Sequence, residues 1–297
     1  MTEQDWLAQQ FEQQRRRLRA VAYRMLGSMS EAEDAVQEAW LRLSGSEPGE
    51  IENLSGWLTT VVARVSLNML RSRAARREQP LGPQLPDPIV DRADGVDPEH
   101  EALLADSVGL ALLVVLETLT PPERLAFVLH DMFGVPFEQI ASLLDRSPQA
   151  ARQLASRARR RVRAQPTTPD VDVSAQREVI DAFLAAARTG DFDALVATLD
   201  PDVVLRADGG AALAALSGEV HGALNVARQA TLWSQVELTM HAALVNGAAG
   251  AVVTRDGAIF AIASVIVRNG MIAEMDFLAD PERLARLDLT VLDMPGS

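Results

Sequence analysis

The sequence predicts a multidomain chain, with two all-α helical domains followed by an α+β domain. Three observations carry this. Between residues 5 and 163 apolar residues recur at spacings of three and four, the signature of one face of a helix. Proline-rich stretches interrupt that pattern, the first being EQPLGPQLPDPIVDRADGVDP (78–98) with five prolines and two glycines. Beyond residue 198 β-rich runs take over, separated by Asn-Gly and Asp-Gly pairs that favour tight hairpins. The expected bounds are 1–78 for the first helical domain, 79–98 for a linker and 99–165 for the second helical domain. A second linker at 166–172 precedes the α+β domain at 173–297.

Element by element, Leu7, Phe11, Leu18, Val21, Ala22, Met25 and Leu26 line one face of a first helix, which Gly27-Ser28 interrupts. Ser30 with Glu33 three residues later predicts a capping box at the start of the second. GSEPGE (45–50) reads as a loop, and Leu54, Leu58, Val61, Val65 and Met69 form the stripe of a third helix. Helices resume near Pro98, and Thr120-Pro121-Pro122-Glu123 is a helix start, with proline in the first turn and an acid near the N-terminal dipole. In the last domain two helices (174–188 and 191–198) precede strands at 203–206, 237–245, 249–254, 258–267 and 271–277.

Composition narrows the chemistry. The absence of cysteine excludes disulfides, thiolate catalysis and a Cys-ligated zinc. His100, His130, His221 and His241 have no metal-binding spacing, so neither a metal nor another cofactor is expected. No apolar run approaches the ~20 residues that span a bilayer, and MTEQDWLAQQFEQQRRR lacks an apolar signal core, so the expected location is cytoplasmic, without a membrane. The net charge is −13, yet residues 1–165 carry only −3 of it and residues 166–297 carry −10. Within the first part, 64–77 holds five arginines and no acid, and 146–163 holds seven and no acid. Two basic islands in an acidic chain suggest two contacts with one polyanion.

The second island lies in FEQIASLLDRSPQAARQLASRARRRV (137–162). Phe137, Ile140, Ala141 and Leu144 form the apolar face of a short helix, Asp145-Arg146 turns, Ser147 caps and Pro148 starts the next helix. Ala151, Leu154, Ala158 and Val162 then repeat at three and four. That is a helix-turn-helix, whose second helix enters the major groove from its N-terminal end. Gln149, Arg152 and Gln153 are candidates for base edges, with Ser147 and Ser156 beside them; Arg157, Arg159, Arg160, Arg161 and Arg163 suit phosphates. In the first island Arg64, Arg71, Arg73, Arg76 and Arg77 suit a backbone, with Asn68 on the same helix. Trp57 could stack on a base or be buried between helices. Upstream, EAEDAVQEAWLRL (31–43) alternates acids with an apolar stripe, as a helix docking on a protein partner does.

Together these stretches resemble a known family. AYRMLGSMSEAEDAVQEAWLRL (22–43) is similar to region 2 of sigma-70-type factors, and WLTTVVARVSLNMLRSR (57–73) to the part that recognises and melts the minus-ten element. LTPPERLAFVLHDMFGVPFEQIASLLDRSPQAARQLASRARRRVR (119–163) is similar to region 4, which reads the minus-thirty-five element. With region 1 and a full region 3 missing, the resemblance is to the extracytoplasmic-function group and covers residues 5–165. It implies promoter DNA and core RNA polymerase, through the clamp helices of the largest subunit and the flap, as partners. Glu33, Asp34, Gln37, Glu38 and Trp40 would dock on polymerase, and no reaction would be catalysed by the chain itself.

QREVIDAFLAAARTGDFDALVATLDPDVVLRADGG (176–210) resembles the opening of a SnoaL-like domain, a cone-shaped α+β fold that some members carry. That subgroup has a tryptophan-containing proline motif in the interdomain linker, a D-G-G-G-K motif and an N-P-D-K-L motif. Here LGPQLPDPIV (81–90) has Gln84 in place of tryptophan, Asp208-Gly209-Gly210 is followed by Ala211-Ala212, and Asp280-Pro281-Glu282-Arg283-Leu284 begins with aspartate. The resemblance implies that Leu85, Pro86, Asp208, Gly209, Gly210, Asp280, Pro281 and Leu284 hold the SnoaL-like domain to the sigma core as a regulatory contact. It also implies a pocket able to take a small-molecule ligand. Asp208, His221, His241 and Asp276 are the residues there that could act as a general acid or base.

Two other readings compete. A one-component helix-turn-helix regulator with a ligand-sensing domain would need neither the acidic docking helix nor the second basic island. A SnoaL-like cyclase or isomerase with a DNA-binding appendage would need a close Asp–His pair in a deep pocket.

Overall fold

The computed structural model describes residues 3–46, 51, 53–76, 83–95, 109–164 and 172–289. The chain separates into two compact units. One comprises residues 1–78, 101–106 and 113–166; the other comprises 79–100, 107–112 and 167–297. Among the described residues no helix is long and apolar enough to cross a membrane.

The helical unit begins with α1 (Glu3–Leu26), α2 (Met29–Ser44) and α3 (Leu54–Arg76), packed side by side. All seven apolar residues expected on the face of α1 are buried, and Gly27 ends the helix at φ +68, a backbone state that glycine adopts without Cβ strain. The start of α2 differs from expectation. Ser28, rather than Ser30, is the N-cap, and the two hydroxyls bond each other at 3.1 Å. Glu33 instead reaches across to Arg19 of α1, so a tertiary ion pair replaces the expected local box. On α3 Leu58 and Val65 are buried, but Leu54, Val61 and Met69 are only half-buried. The helix turns Val62, Ala63, Ser66, Leu67 and Leu70 inward, a broader face because two helices flank it.

After α4 (Leu110–Glu117) the unit continues through α5 (Pro121–Phe127), a π-helical turn (Val128–Met132), α6 (Phe137–Leu144) and α7 (Pro148–Ala164). The Thr120–Glu123 capping box opens α5 as its sequence predicts. The two helical halves are joined by reciprocal buried arginines. Arg24 of α1 lies over the Phe133 ring at 5.1 Å, and Arg124 of α5 donates to the Met25 carbonyl at 2.9 Å.

In the second unit α8 (Val173–Thr189) and α9 (Phe192–Ala197) precede six of the seven strands of one sheet. In chain order its strands are β1 (Val90–Arg92), β2 (Leu199–Asp208), β3 (Gly218–His221), β4 (Thr239–Val245), β5 (Ala248–Arg255), β6 (Ala258–Arg268) and β7 (Met271–Leu278). Their spatial order is β1-β4-β5-β6-β7-β2-β3, antiparallel except for β2 beside β7. The three hairpin turns form where expected. Asn246-Gly247, Asp256-Gly257 and Asn269-Gly270 all have positive φ at both positions, matching the twist of the flanking strands. Ile180, Phe183 and Ala186 of α8 pack on Val203, Ala249, Val265, Val267, Ile272 and Met275 of one sheet face.

Sequence reading misses a short helical turn (Ala214–Leu216), β3, the helix α10 (Ala223–Trp233), a four-residue helix (Pro281–Leu284) and β1. The last lies inside the segment expected to be a linker. Three residues between prolines carry no strand signal of their own. β1 exists because β4 offers an open edge, with Val90 opposite Val245 and Arg92 opposite Ala243. Asn246 secures it twice, its amide donating to the Ile89 carbonyl (2.8 Å) and its side-chain oxygen accepting from the Ile89 amide (3.1 Å).

Candidate nucleic-acid interface and linker clasp

α6 and α7 build the helix-turn-helix from local rules. Asp145 ends α6 in the left-handed region at φ 55. Ser147 Oγ accepts from the Ala150 amide at 3.2 Å, and Pro148 occupies the first helical position, where a missing N–H costs nothing. Ala151, Leu154, Ala155 and Ala158 bury one face of α7, with Val162 half-buried beyond them. The opposite face presents Gln149, Arg152, Gln153, Ser156, Arg160 and Arg163, all exposed.

The arginines of α7 divide into two classes that sequence alone does not separate. Arg160 and Arg163 make no ion pair among the described residues. Arg157 and Arg161 both bind Glu123 of α5, each at 3.0 Å, and Arg159 binds Asp131 at 2.6 Å. Arg152 lies over the Phe137 ring at 5.4 Å and reaches Glu138 at 3.3 Å, a surface pair with both side chains more than half exposed. Such an exposed pair is worth little and yields readily to a phosphate or a base. Arg157, expected among the DNA contacts, is therefore already committed within the fold.

On α3 Trp57, Arg64, Asn68 and Arg71 follow one another at seven, four and three, so they share a face; the last three are exposed and Trp57 is half-buried. Arg73 departs from expectation. It donates to the Leu26 carbonyl at 3.0 Å and pairs with Glu31, so it ties α3 to the first two helices. The Arg76 side chain and Arg77 lie outside the described residues. On α2 Asp34 and Gln37 are exposed, Glu38 pairs with Arg42, and Leu41 presents 58% of its surface. Trp40 leans on Phe11 with ring centroids 5.1 Å apart, which anchors it to α1.

In the α+β unit the residues of the three linker-associated motifs converge. Asp208, at the end of β2, accepts from the Leu85 amide at 3.0 Å and from Arg283 at 2.7 Å, while its other oxygen accepts from the Gly210 amide at 3.2 Å. Arg283 also bonds Asp87 and the Leu85 carbonyl. One guanidinium thus spans two carboxylates and a carbonyl from three separate nitrogens, a spread that the single nitrogen of an ammonium does not offer. Asp280 caps the short helix α11 (Pro281–Leu284), accepting from the Glu282 amide at 2.9 Å. Gly210 sits at φ +60, and a Cβ there would meet the Asp280 carboxylate at 2.2 Å, which explains the glycine. Pro86 and Leu284 are buried, and Gly209 would collide with Leu213 if it carried a side chain. Sequence reading missed Asp87 and Arg283. They lie 196 residues apart, and only the fold joins them.

The candidate acid–base residues do not assemble into a catalytic pair. His221 is exposed and faces Glu219, His241 bonds the Thr254 hydroxyl at 3.0 Å, and Asp208 is taken by Arg283. Asp276 is 1% exposed and bonds Arg206, which also binds Glu274 and Glu219. Burial pushes the Asp276 carboxyl up to about 6, opposed by Arg206 and reinforced by the nearby Glu274 and Glu219. A folded value above the unfolded one means that folding favours the protonated form. That contribution is present below about pH 4 and is lost as pH rises through about 6. Asp276→Asn fixes a neutral side chain, so its stability relative to the wild type is expected to rise between pH 5 and pH 8. Paired thermal melts measure this; a difference independent of pH would refute this origin.

Comparison with known proteins agrees with this geometry. Residues 10–76 match the family Sigma-70 region 2 and residues 109–162 match Sigma-70, region 4. The probable ECF RNA polymerase sigma factor SigI of Mycobacterium tuberculosis is 34% identical over 270 residues, covering 89% of this chain and 90% of SigI. This chain belongs to the ECF RNA polymerase sigma factors. The ECF sigma factor SigJ of the same organism is 47% identical over 200 residues, 67% of this chain, and the match spans just under two thirds (64%) of SigJ. The crystal structure of M. tuberculosis SigJ superposes on this ECF sigma factor with a TM-score of 0.74 at 36% identity, over 95% of this chain and 99% of the other. The expected architecture, two helical sigma regions followed by an α+β domain, is therefore the one adopted.

Proposed function

We propose that this ECF sigma factor directs core RNA polymerase to promoters by reading the minus-thirty-five element with α7 and the minus-ten element with α3. In this reading the exposed acidic face of α2 docks on the polymerase clamp. The observation that carries it is the exposed stripe Gln149, Gln153, Ser156, Arg160 and Arg163 on a capped, buried-backed second helix of a helix-turn-helix. Amide side chains at the helix start suit base edges, and the two arginines near its end, without an ion pair among the described residues, suit phosphates. The chain acts without chemistry of its own, a reading supported by the commitment of Asp208 and Asp276 to arginines. The clasp around Arg283 supports a modulatory role for the α+β domain, because it holds the segment that leads out of region 2.

Run-off transcription with core polymerase on a genomic fragment library tests the reading. Discrete start sites are expected, and a chain that leaves core polymerase as inactive as without it would overturn it. A finer expectation concerns salt. Replacing Arg160 and Arg163 together by glutamine removes two phosphate contacts, so the slope of log affinity against log salt for promoter duplex should fall in magnitude by about 2. The same slope in both proteins would show that these side chains do not touch the backbone.

A further inference from the structure

We infer that Glu123 is a positioning residue for promoter reading, one that sets the rotation of α7 about its own axis. This rests on the proposed role of α7.

Glu123 is 4% exposed, and its carboxylate has four donors. Two belong to the start of its own helix, the Thr120 amide at 3.2 Å and the Thr120 hydroxyl at 2.8 Å. The other two, Arg157 Nε and Arg161 Nη1, come from α7, each at 3.0 Å. Positions 157 and 161 are one helical turn apart, so the carboxylate grips α7 along a line rather than at a point. The hydrogen bonds from Thr120 and Arg157, with the Arg161 charge, hold the Glu123 carboxyl below its ordinary value even though burial, the largest single influence, works the other way. The group is thus ionised whenever the protein is near neutrality.

The consequence follows from helical geometry. Each residue advances the helix by 100°, so the arginines gripped by Glu123 lie to one side of the stripe that carries Gln149, Gln153, Ser156, Arg160 and Arg163. Three of the four buried residues of α7 are alanines, which key its rotation weakly because a small side chain fits a groove in several registers; Leu154 alone has bulk there. The ion pairs supply that key. Glu123 also withdraws two guanidinium groups from the pool available to phosphates, leaving backbone attraction to Arg160 and Arg163 and discrimination to the glutamines.

The test uses the full-length chain bound to core polymerase and a minus-thirty-five duplex chosen by the wild-type holoenzyme from a randomised library. For Glu123→Gln, discrimination between the chosen duplex and one scrambled at that element should fall several-fold. The salt slope on the scrambled duplex should steepen by about 1 to 2 as Arg157 and Arg161 turn to phosphates. Glu123→Asp, which keeps the charge, should restore part of the discrimination. In an Arg157→Gln/Arg161→Gln background, Glu123→Gln should add little further loss of discrimination, because residues acting through one contact are not additive. A lowered melting temperature with discrimination and slope both unchanged would overturn the inference. Should Glu123→Gln not fold, the Arg157→Gln/Arg161→Gln protein decides alone: undiminished discrimination refutes the proposal. A wild-type holoenzyme that selects no sequence at all would instead refute the sigma-factor reading on which it rests.

Discussion

Arg283→Met should free residues 85–92 from the α+β domain. The substitution keeps the apolar stem and removes the fork, so Asp87, Asp208 and the Leu85 carbonyl lose their common donor together. The two carboxylate side chains are only 14% and 10% exposed, and a buried charge stripped of its partner costs about 3–5 kcal/mol. The strand β1 has only three residues, held by pairing with β4 and by Asn246, so the loss should appear there first. Hydrogen exchange of the Leu85 and Ile89 amides, which are bonded in the wild type, is expected to accelerate by two orders of magnitude or more, with a lower melting temperature for the unit. Arg283→Lys should fall between, since it keeps the charge but replaces three donor nitrogens by one. Unchanged exchange at both amides would mean that the clasp is not what retains the segment. Coupled to transcription, the same variant measures how far the clasp modulates the factor.

Arg124→Met is expected to loosen the two halves of the helical unit. Arg124 is 2% exposed and donates both to the Met25 carbonyl and to Glu117 at 2.7 Å. Its removal leaves a buried carbonyl and a partly buried carboxylate unsatisfied, at a cost of about 3–5 kcal/mol. Scale makes this junction matter. Elements at minus ten and minus thirty-five lie about 25 base pairs apart, roughly 85 Å at 3.4 Å per pair. A compact body of about 150 residues has a radius of gyration near 15 Å and a diameter of about 40 Å. On the proposed reading of the two elements by α3 and α7, a closed helical unit cannot reach both, and the junction at Arg24, Arg124 and Phe133 is expected to open first. The absence of native cysteine makes the measurement direct. Dyes on cysteines introduced at exposed Glu12 and Ser142 should show high energy transfer in the wild type and a larger low-transfer population in Arg124→Met. Identical transfer distributions would show that this arginine is not the latch.

Much of the molecule was legible in its sequence because the responsible forces are local. The stripe of α1, the Thr120–Glu123 box and the Ser147-Pro148 start of α7 all follow from short-range rules, and so do the Asn-Gly and Asp-Gly hairpins. The helix-turn-helix, its exposed polar stripe and the family were within reach for the same reason. Failures came wherever a partner distant in sequence decided the outcome. Ser30 and Glu33 satisfy a capping pattern, but Arg19 offers the carboxylate a better bond. Arg73 reads as a phosphate contact, but Glu31 and the Leu26 carbonyl claim it.

By itself, then, the amino-acid order determined most of the elements, their polarity and the placing of positive charge on two helices. Those depend on residues within a turn or two of one another. The tertiary structure alone decided which arginines are spoken for, by bringing Glu123 under Arg157 and Arg161 and Arg283 between Asp87 and Asp208. It also turned a proline-rich connector into a strand. Pairing partners for a buried charge or an open sheet edge are chosen by proximity in space, and no spacing along the chain encodes that.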